Sequence, residues 1–97
     1  MSSIPEKHQP DEIPRQLYSA SFCIVAARFN SEIVGKLIAG ARAALLRHGV
    51  AASAIEELSV PGAFEVPLAA QRAARSGRFD GIVALAAIVR GGTPHFD

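Results

Sequence analysis

The sequence predicts an α/β domain with three layers, in which a parallel sheet lies between two layers of helices. Short and almost wholly apolar runs recur along the chain, amphipathic stretches separate them, and Gly or Pro residues stand at the joints. The resulting order of strand, helix, strand, helix and strand is typical of right-handed βαβ crossovers. Such crossovers place parallel strands between helices on both faces of the sheet.

The first predicted strand covers residues 22–27, an apolar run too short for a helix and free of the polar alternation of a half-exposed strand. A helix is predicted to follow it, capped by Asn30 or Ser31 and ended by Gly49. The apolar residues of this helix repeat with the spacing of one buried stripe: Val34, Leu37, Ile38, Ala41 and Leu45. The strand should therefore be buried on both faces, beneath this helix on one of them.

The second predicted strand covers residues 54–60 and ends at a Pro-Gly pair. Three of its side chains are expected to point inward: Ile55, Leu58 and Val60. An alanine-rich helix comes next, with Pro67 tolerated in its first turn, residues 68–75 as its body and Gly77 at its end.

The third predicted strand covers residues 81–89, and its nearly continuous apolar character is typical of a strand at the centre of a sheet. Only eight residues follow it, so its outer edge is expected to lack a partner strand and a covering helix. We therefore expect a fold of flavodoxin-like type that is truncated after this strand. The 97-residue chain alone is expected to fold poorly or aggregate.

Composition narrows the class of protein. The chain has 97 residues, enough for one domain, and its formal charge of +1 gives no electrostatic reason to expect nucleic acid as a partner. Residues 1–16 carry three prolines among polar residues and predict an extended or disordered arm, with no export signal or membrane span. Cys23, the one cysteine, is expected to be a buried hydrophobe. A reducing, cytoplasmic location fits these observations.

Candidate functional residues follow each predicted strand. In an open parallel sheet, ligands bind at the carboxyl ends of the strands, where successive loops converge with the amino termini of helices. The three loops are residues 28–30, 61–65 and 90–95. The unusual polar and aromatic residues of residues 17–97 therefore collect at one edge of the sheet, which is the predicted ligand site.

The first two loops also have plain interpretations. Phe29 is compatible with a hydrophobic staple at the helix start, and Asn30 with a simple cap of the same helix. Glu65 is compatible with an acid that only stabilises the first turn of the second helix. Arg28 fits anion binding or surface solubility, and the pattern does not separate these.

The third loop is similarly open. Gly91 and Gly92 fit a simple turn, but two glycines beside a hydroxyl and Arg90 also make a nest of N–H donors for a phosphate. His95 fits a surface histidine or a proton carrier that titrates near neutral pH. The other histidines, His8 and His48, are interpreted as solvated, and no spacing of His, Cys or carboxylate residues indicates a metal site.

These loop sequences resemble those of the lumazine synthase family, in the family's order and spacing. The matching runs are Ala27-Arg28-Phe29-Asn30, Val60-Pro61-Gly62-Ala63-Phe64-Glu65-Val66-Pro67 and Arg90-Gly91-Gly92-Thr93-Pro94-His95-Phe96-Asp97. The resemblance covers residues 17–97, interpreted as an incomplete domain of this family, while residues 1–16 match only as a variable extension. It implies a transferase of riboflavin biosynthesis that joins 5-amino-6-(D-ribitylamino)uracil to 3,4-dihydroxy-2-butanone 4-phosphate. The products would be 6,7-dimethyl-8-ribityllumazine, phosphate and water, with no cofactor or metal taking part.

The resemblance also implies residue roles. Phe29 would stack on the pyrimidine ring, and Ile88 and Val89 would offer backbone groups to that ring. Gly92 and Thr93 would hold the phosphate, and His95 would carry protons. By the same resemblance Asn30, Ala63 and Glu65 would line the ribityl chain. Two further residues would also bind substrate: Gly62 and Phe64.

Family resemblance further implies a homo-oligomer, a pentamer or a multiple of it. Each pocket would lie between subunits, and a carboxy-terminal aromatic residue and an arginine of the neighbour would complete it. Two alternatives of another class stay open: a phosphate- or flavin-binding module without catalysis, and an assembly subunit of the same fold that has lost its chemistry.

Overall fold

The computed structural model describes residues 19–88. Strands and α-helices alternate along this range in the following order: β1 Phe22–Ala27, α1 Ser31–Arg47, β2 Ile55–Val60, α2 Val66–Arg75 and β3 Gly81–Leu85. Short 3-10 turns at Ala52–Ala54 and Ala63–Glu65 precede β2 and α2. The predicted order of elements is confirmed. The predicted arm at residues 1–16 lies outside the described residues.

The three strands form a parallel sheet in the order β2-β1-β3. This is the order in which a flavodoxin-like sheet begins. The crossover from β1 to β2 runs one way across the sheet and the crossover from β2 to β3 runs back past β1. Residues of α1 pack on the face of β1 that carries Ile24, and residues of α2 pack on the face that carries Cys23 and Val25. The two helices therefore lie on opposite faces, as the right-handed crossovers typical of such folds would place them. The predicted three-layer α/β fold is therefore confirmed.

The third strand differs from its prediction in length and position. It ends at Leu85, not at residue 89, and among the described strands it lies at the edge while β1 lies in the middle. Its pairing with β1 runs from Gly81 opposite Phe22 to Leu85 opposite Ala26. Since β1 itself ends at Ala27, one residue beyond the partner of Leu85, residues 86–88 have almost no part of β1 to pair with. The apolar character of residues 81–89 does not predict where β3 ends.

Two apolar clusters hold helices on the two faces of β1. On the α1 side, Ile24 packs with Val50 and Ile55, and the helix contributes Ile38, Ala41 and Leu45. On the α2 side the buried residues are Cys23, Val25, Ala27, Val66 and Ala73. Ile24 and Val25 are fully buried, and each such side chain contributes about 1.5–3 kcal/mol through removal from water. Burial of β1 on both faces and of Cys23 is thus confirmed.

Two leucines that were predicted to be inside are exposed to solvent. Leu37 lies on the flank of the α1 stripe, and Leu58 lies on β2, each with 41% of its surface accessible. Leu58 is uncovered because α2 packs against β1 and β3, leaving the adjacent face of β2 open. A groove of about 440 Å³ results between β2 and α2, and it extends from Phe79 to Glu65.

The predicted helix stops are confirmed. Gly49 follows α1 with φ of 98° and Gly77 follows α2 with φ of 74°, a left-handed conformation that favours glycine. Pro67 stands in the first turn of α2, where its missing N–H group has no helical acceptor to lose.

Candidate functional site

Backbone hydrogen bonds join the loops that follow β1 and β2. The N–H group of Arg28 donates to the carbonyl of Val60 over 2.7 Å, and the N–H group of Phe29 donates to the carbonyl of Pro61 over 3.2 Å. The ladder between the two strands thus continues past their carboxyl ends. As a result, Phe29 and Asn30 lie on a loop that is fastened to the loop carrying Glu65.

Phe29 does not have the plain role considered for it, and Asn30 is the cap residue of α1 by position only. The Phe29 side chain is 68% exposed, which is inconsistent with an apolar staple packed on the helix. Asn30 stands at the start of α1 in a left-handed conformation, with φ of 62°, and its side chain makes no capping bond. Among residues 19–88 it is the one residue other than glycine with positive φ. Asn tolerates this conformation better than most residues.

The side chain of Asn30 points to a different partner. Its Nδ2 atom donates to the carbonyl of Ala87 over 3.4 Å, while its own backbone carbonyl accepts the N–H group of Val34 over 3.0 Å. Asn30 therefore links the loop after β1 to the segment after β3. Sequence reasoning missed Ala87, because a backbone carbonyl carries no signal in residue type.

Glu65 is held by a reciprocal pair of hydrogen bonds in the 3-10 turn Ala63–Glu65, directly before α2. Its Oε1 atom accepts the N–H group of Gly62 over 2.8 Å, and its own N–H group donates to the carbonyl of Gly62 over 3.2 Å. This is the geometry of a capping box in which the backbone carbonyl of Gly62 accepts the hydrogen bond that a Ser or Thr side chain normally accepts. Glu65 therefore stabilises the turn that leads into α2, and this arrangement leaves Oε2 without a partner among residues 19–88.

The remaining described candidates differ in exposure. Phe64 is 93% exposed and Ile88 is 82% exposed, whereas Gly62 and Ala63 are half-buried. Large apolar side chains this exposed are expected where a ligand or another chain covers them. The other residues singled out by sequence lie outside the described residues: Val89, Arg90, Gly91, Gly92, Thr93, His95 and His8.

The charged side chains of β2 are engaged in ion pairs away from these loops. Arg42 on α1 pairs with Glu57 over 2.8 Å, and Arg78 pairs with Glu56 over 2.6 Å. Arg28, by contrast, is exposed and has no ion-pair partner within residues 19–88. Positive charge at the carboxyl edge is thus available to an anion, although solubility explains it equally well.

Cys23 has no features of a reactive thiol. It is 1% exposed, and burial raises the pKa of its thiol, with the charge of Glu56 acting in the same direction and Arg78 opposing. Across residues 19–88, no group of His, Cys, Asp and Glu side chains is arranged to hold a metal ion. In the same range, no helix is long and apolar enough to cross a bilayer.

A comparison with protein families identifies the family to which these loops belong. A sequence model described as 6,7-dimethyl-8-ribityllumazine synthase matches residues 19–97. The match includes all three strand-end loops and leaves out only the amino-terminal segment. From Ser19 onward, the chain therefore belongs to the 6,7-dimethyl-8-ribityllumazine synthase family, a family of riboflavin biosynthesis.

Proposed function

We propose that this protein catalyses the condensation of 5-amino-6-(D-ribitylamino)uracil with 3,4-dihydroxy-2-butanone 4-phosphate. The products are 6,7-dimethyl-8-ribityllumazine, phosphate and water. One observation carries the proposal: backbone bonds from Arg28 and Phe29 to Val60 and Pro61 fasten together two loops of the matched family region. Most of the residues proposed to bind the ribityl-bearing substrate, including Phe29 and Glu65, stand on these two loops.

The described loops suit a flat ring with a polyhydroxylated chain. Phe29 offers an exposed aromatic face on which the pyrimidine ring stacks, an arrangement that aromatic side chains favour. Glu65 accepts hydrogen bonds from ribityl hydroxyls, and bonds to a charged acceptor are stronger than neutral ones. Asn30 and Ala63 line the same chain, and backbone groups of Ile88 and Val89 bind the ring.

The phosphate end of the site is assigned to the loop after β3. Gly92 and Thr93 hold the phosphate through backbone N–H groups and a hydroxyl, the donors of a typical anion nest. His95, three residues beyond Gly92, carries the protons. Imine formation moves a proton from the attacking amine to the departing water, and phosphate elimination removes a proton from carbon. A group that titrates near neutral pH serves both steps.

Assembly forms part of the proposal. The pocket lies between neighbouring subunits of a pentamer or of a larger shell of pentamers, and the neighbour supplies an aromatic residue and an arginine. Phe64, with 93% of its surface accessible, supports such an interface, because large exposed aromatic residues are typical of surfaces that another chain covers.

The experiment supplies both substrates to the full natural polypeptide and follows the fluorescence of the lumazine together with phosphate release. We expect both products in equal amounts without added cofactor or metal. A non-catalytic binding module or assembly subunit would bind ligand or assemble and form neither product, and that result would contradict the proposal.

A pair of histidine variants tests the proton carrier. Positioned acid–base catalysis contributes about 10²–10⁴-fold, but proximity alone accelerates this pair of reactants, so His95→Ala should lower turnover by roughly ten- to a hundredfold. His48→Ala is the matched control, because the Nδ1 atom of His48 lies 2.8 Å from the carbonyl of Ala44 at the end of α1. If His95→Ala raises only the half-saturation concentrations, His95 is a binding residue.

A further inference from the structure

Glu65 is the one carboxylate among the described residues that has a hydrogen bond on the carboxyl edge of the sheet. The bond from the N–H group of Gly62 to Oε1 measures 2.8 Å, and the return bond from the N–H group of Glu65 to the carbonyl of Gly62 measures 3.2 Å. Together they hold the carboxylate back over its own loop. An exposed Glu side chain otherwise has several rotatable bonds, and ordering it costs conformational entropy.

Gly62 makes room for this arrangement. A Cβ atom placed on Gly62 would lie 3.1 Å from Oε1 of Glu65, and beyond the chain neighbours of Gly62 no other heavy atom of the described residues lies within 4 Å. The backbone itself is extended, with φ of −145° and ψ of 176°, which any residue adopts. A contact of 3.1 Å is closer than usual, so a methyl group at this position would require the Glu65 carboxylate to shift by a few tenths of an ångström.

We infer that Gly62 is a positioning residue for Glu65: it holds Oε1 through its N–H group and leaves Oε2 to accept from the ligand's hydroxyls. The inference rests on the proposed function, in which Glu65 binds the ribityl chain. It changes the role expected for Gly62 by family resemblance. Its N–H group is engaged by Oε1, so Gly62 acts on the ligand through Glu65 and not by direct contact.

A double-mutant cycle tests this role in the full natural polypeptide. Glu65→Ala removes the carboxylate, Gly62→Ala displaces it, and the double variant does both. We expect Glu65→Ala to raise KM for the ribitylaminouracil by roughly ten- to a hundredfold and Gly62→Ala by about three- to tenfold. Neither change should move KM for the butanone phosphate by more than about twofold. In the Glu65→Ala background, Gly62→Ala should add almost nothing.

Two further variants separate positioning from a general structural role. Gly40→Ala is the matched control, since a Cβ atom there meets no heavy atom within 4 Å beyond its chain neighbours and the nearby backbone of its own helix, and it should leave both KM values unchanged. Glu65→Asp keeps the charge on a side chain one methylene shorter, which cannot reach the N–H group of Gly62 and the ligand in the same geometry. It should therefore behave more like Glu65→Ala than like the parent protein.

The outcomes distinguish this inference from the proposed function. If Glu65→Ala weakens the ribitylaminouracil while Gly62→Ala has no effect, or has an equal effect in both backgrounds, the positioning role is wrong and the proposed function stands. If Glu65→Ala leaves KM for that substrate unchanged, the assignment of Glu65 to the ribityl chain is wrong as well. Full activity of Glu65→Asp would also contradict the positioning role.

Discussion

Polar groups are hydrogen-bonded differently at the two ends of the parallel strands. We call the end at which the strands start the amino edge and the end at which they finish the carboxyl edge. At the amino edge, the N–H group of Ser21 donates to Oδ2 of Asp80 over 2.8 Å, and its hydroxyl donates to the carbonyl of Arg78 over 2.9 Å. The N–H group of Asp80 returns a bond to the carbonyl of Ser21 over 2.7 Å. At the carboxyl edge, by contrast, Phe29 and Phe64 are exposed and Oε2 of Glu65 has no partner among residues 19–88.

This difference indicates that polar groups at the amino edge stabilise the fold, whereas exposed groups at the carboxyl edge are available for binding. The bonds of Ser21 and Asp80 join the starts of β1 and β3 and help to set the register in which Phe22 lies opposite Gly81. Exposed aromatic residues contribute little to folding, because each Å² of apolar surface left in water forgoes roughly 25 cal/mol. Our proposal is that a ligand or a neighbouring subunit covers these residues at the carboxyl edge.

The largest expected effect is at the carboxyl edge. Phe29→Ala removes the proposed stacking face, and stacking of a base on an aromatic side chain contributes about 1–3 kcal/mol, so affinity for the ribitylaminouracil should fall by roughly ten- to a hundredfold. Thermal stability should hardly change, because the side chain is 68% exposed. Phe29→Tyr, which keeps the ring, is the control. A drop in the unfolding temperature without a loss of affinity would mean that Phe29 stabilises the fold and does not bind the substrate.

A smaller effect of the opposite kind is expected at the amino edge. Asp80→Ala removes the acceptor of the Ser21 N–H group and should destabilise the protein by about 1–2 kcal/mol, with substrate affinity unchanged. Asp80→Asn keeps an oxygen acceptor and should lose less. Thermal unfolding and steady-state kinetics of both variants measure the two quantities. Weakened substrate binding with normal stability would show that this edge is not purely structural.

The smallest effect concerns the left-handed backbone of Asn30. Asn30→Ala places a residue with a Cβ atom and no local hydrogen bond at φ of 62°, and should cost roughly 1 kcal/mol of stability relative to Asn30→Gly. Both variants lose the bond to the carbonyl of Ala87, so their difference isolates the backbone. Equal unfolding temperatures for the two variants would mean that this conformation imposes no strain.

The sequence predicts the fold best where burial is complete. The strand at Phe22–Ala27 has the predicted bounds, because an uninterrupted apolar run between two helical layers leaves no alternative. The prediction is wrong where the position of another element decides. Leu58 is exposed because α2 packs over β1 and β3, and β3 ends early because β1 does. Neither the exposure of Leu58 nor the end of β3 can be predicted from the local sequence pattern.

For the candidate site, the sequence predicts where the residues lie better than it predicts their backbone conformation. Loops at the carboxyl ends of parallel strands meet by topology, so the placement of Phe29 near the loop of Glu65 follows from the order of elements. The left-handed backbone of Asn30 and its bond to Ala87 do not follow, since Asn is favoured as a helix cap and is also tolerated in this conformation. The roles of Thr93 and His95 stay predictions.

Hydrogen–deuterium exchange with and without the lumazine product tests most directly whether the two edges have different roles. Saturating product should protect amide groups of the strand-end loops, including Asn30 and the segment Ala63–Glu65. The amide groups of Ser21, Asp80 and Gly81, which are already hydrogen-bonded at the amino edge, should exchange at unchanged rates. Protection confined to the amino edge, or an unchanged carboxyl edge at saturating product, would contradict the account.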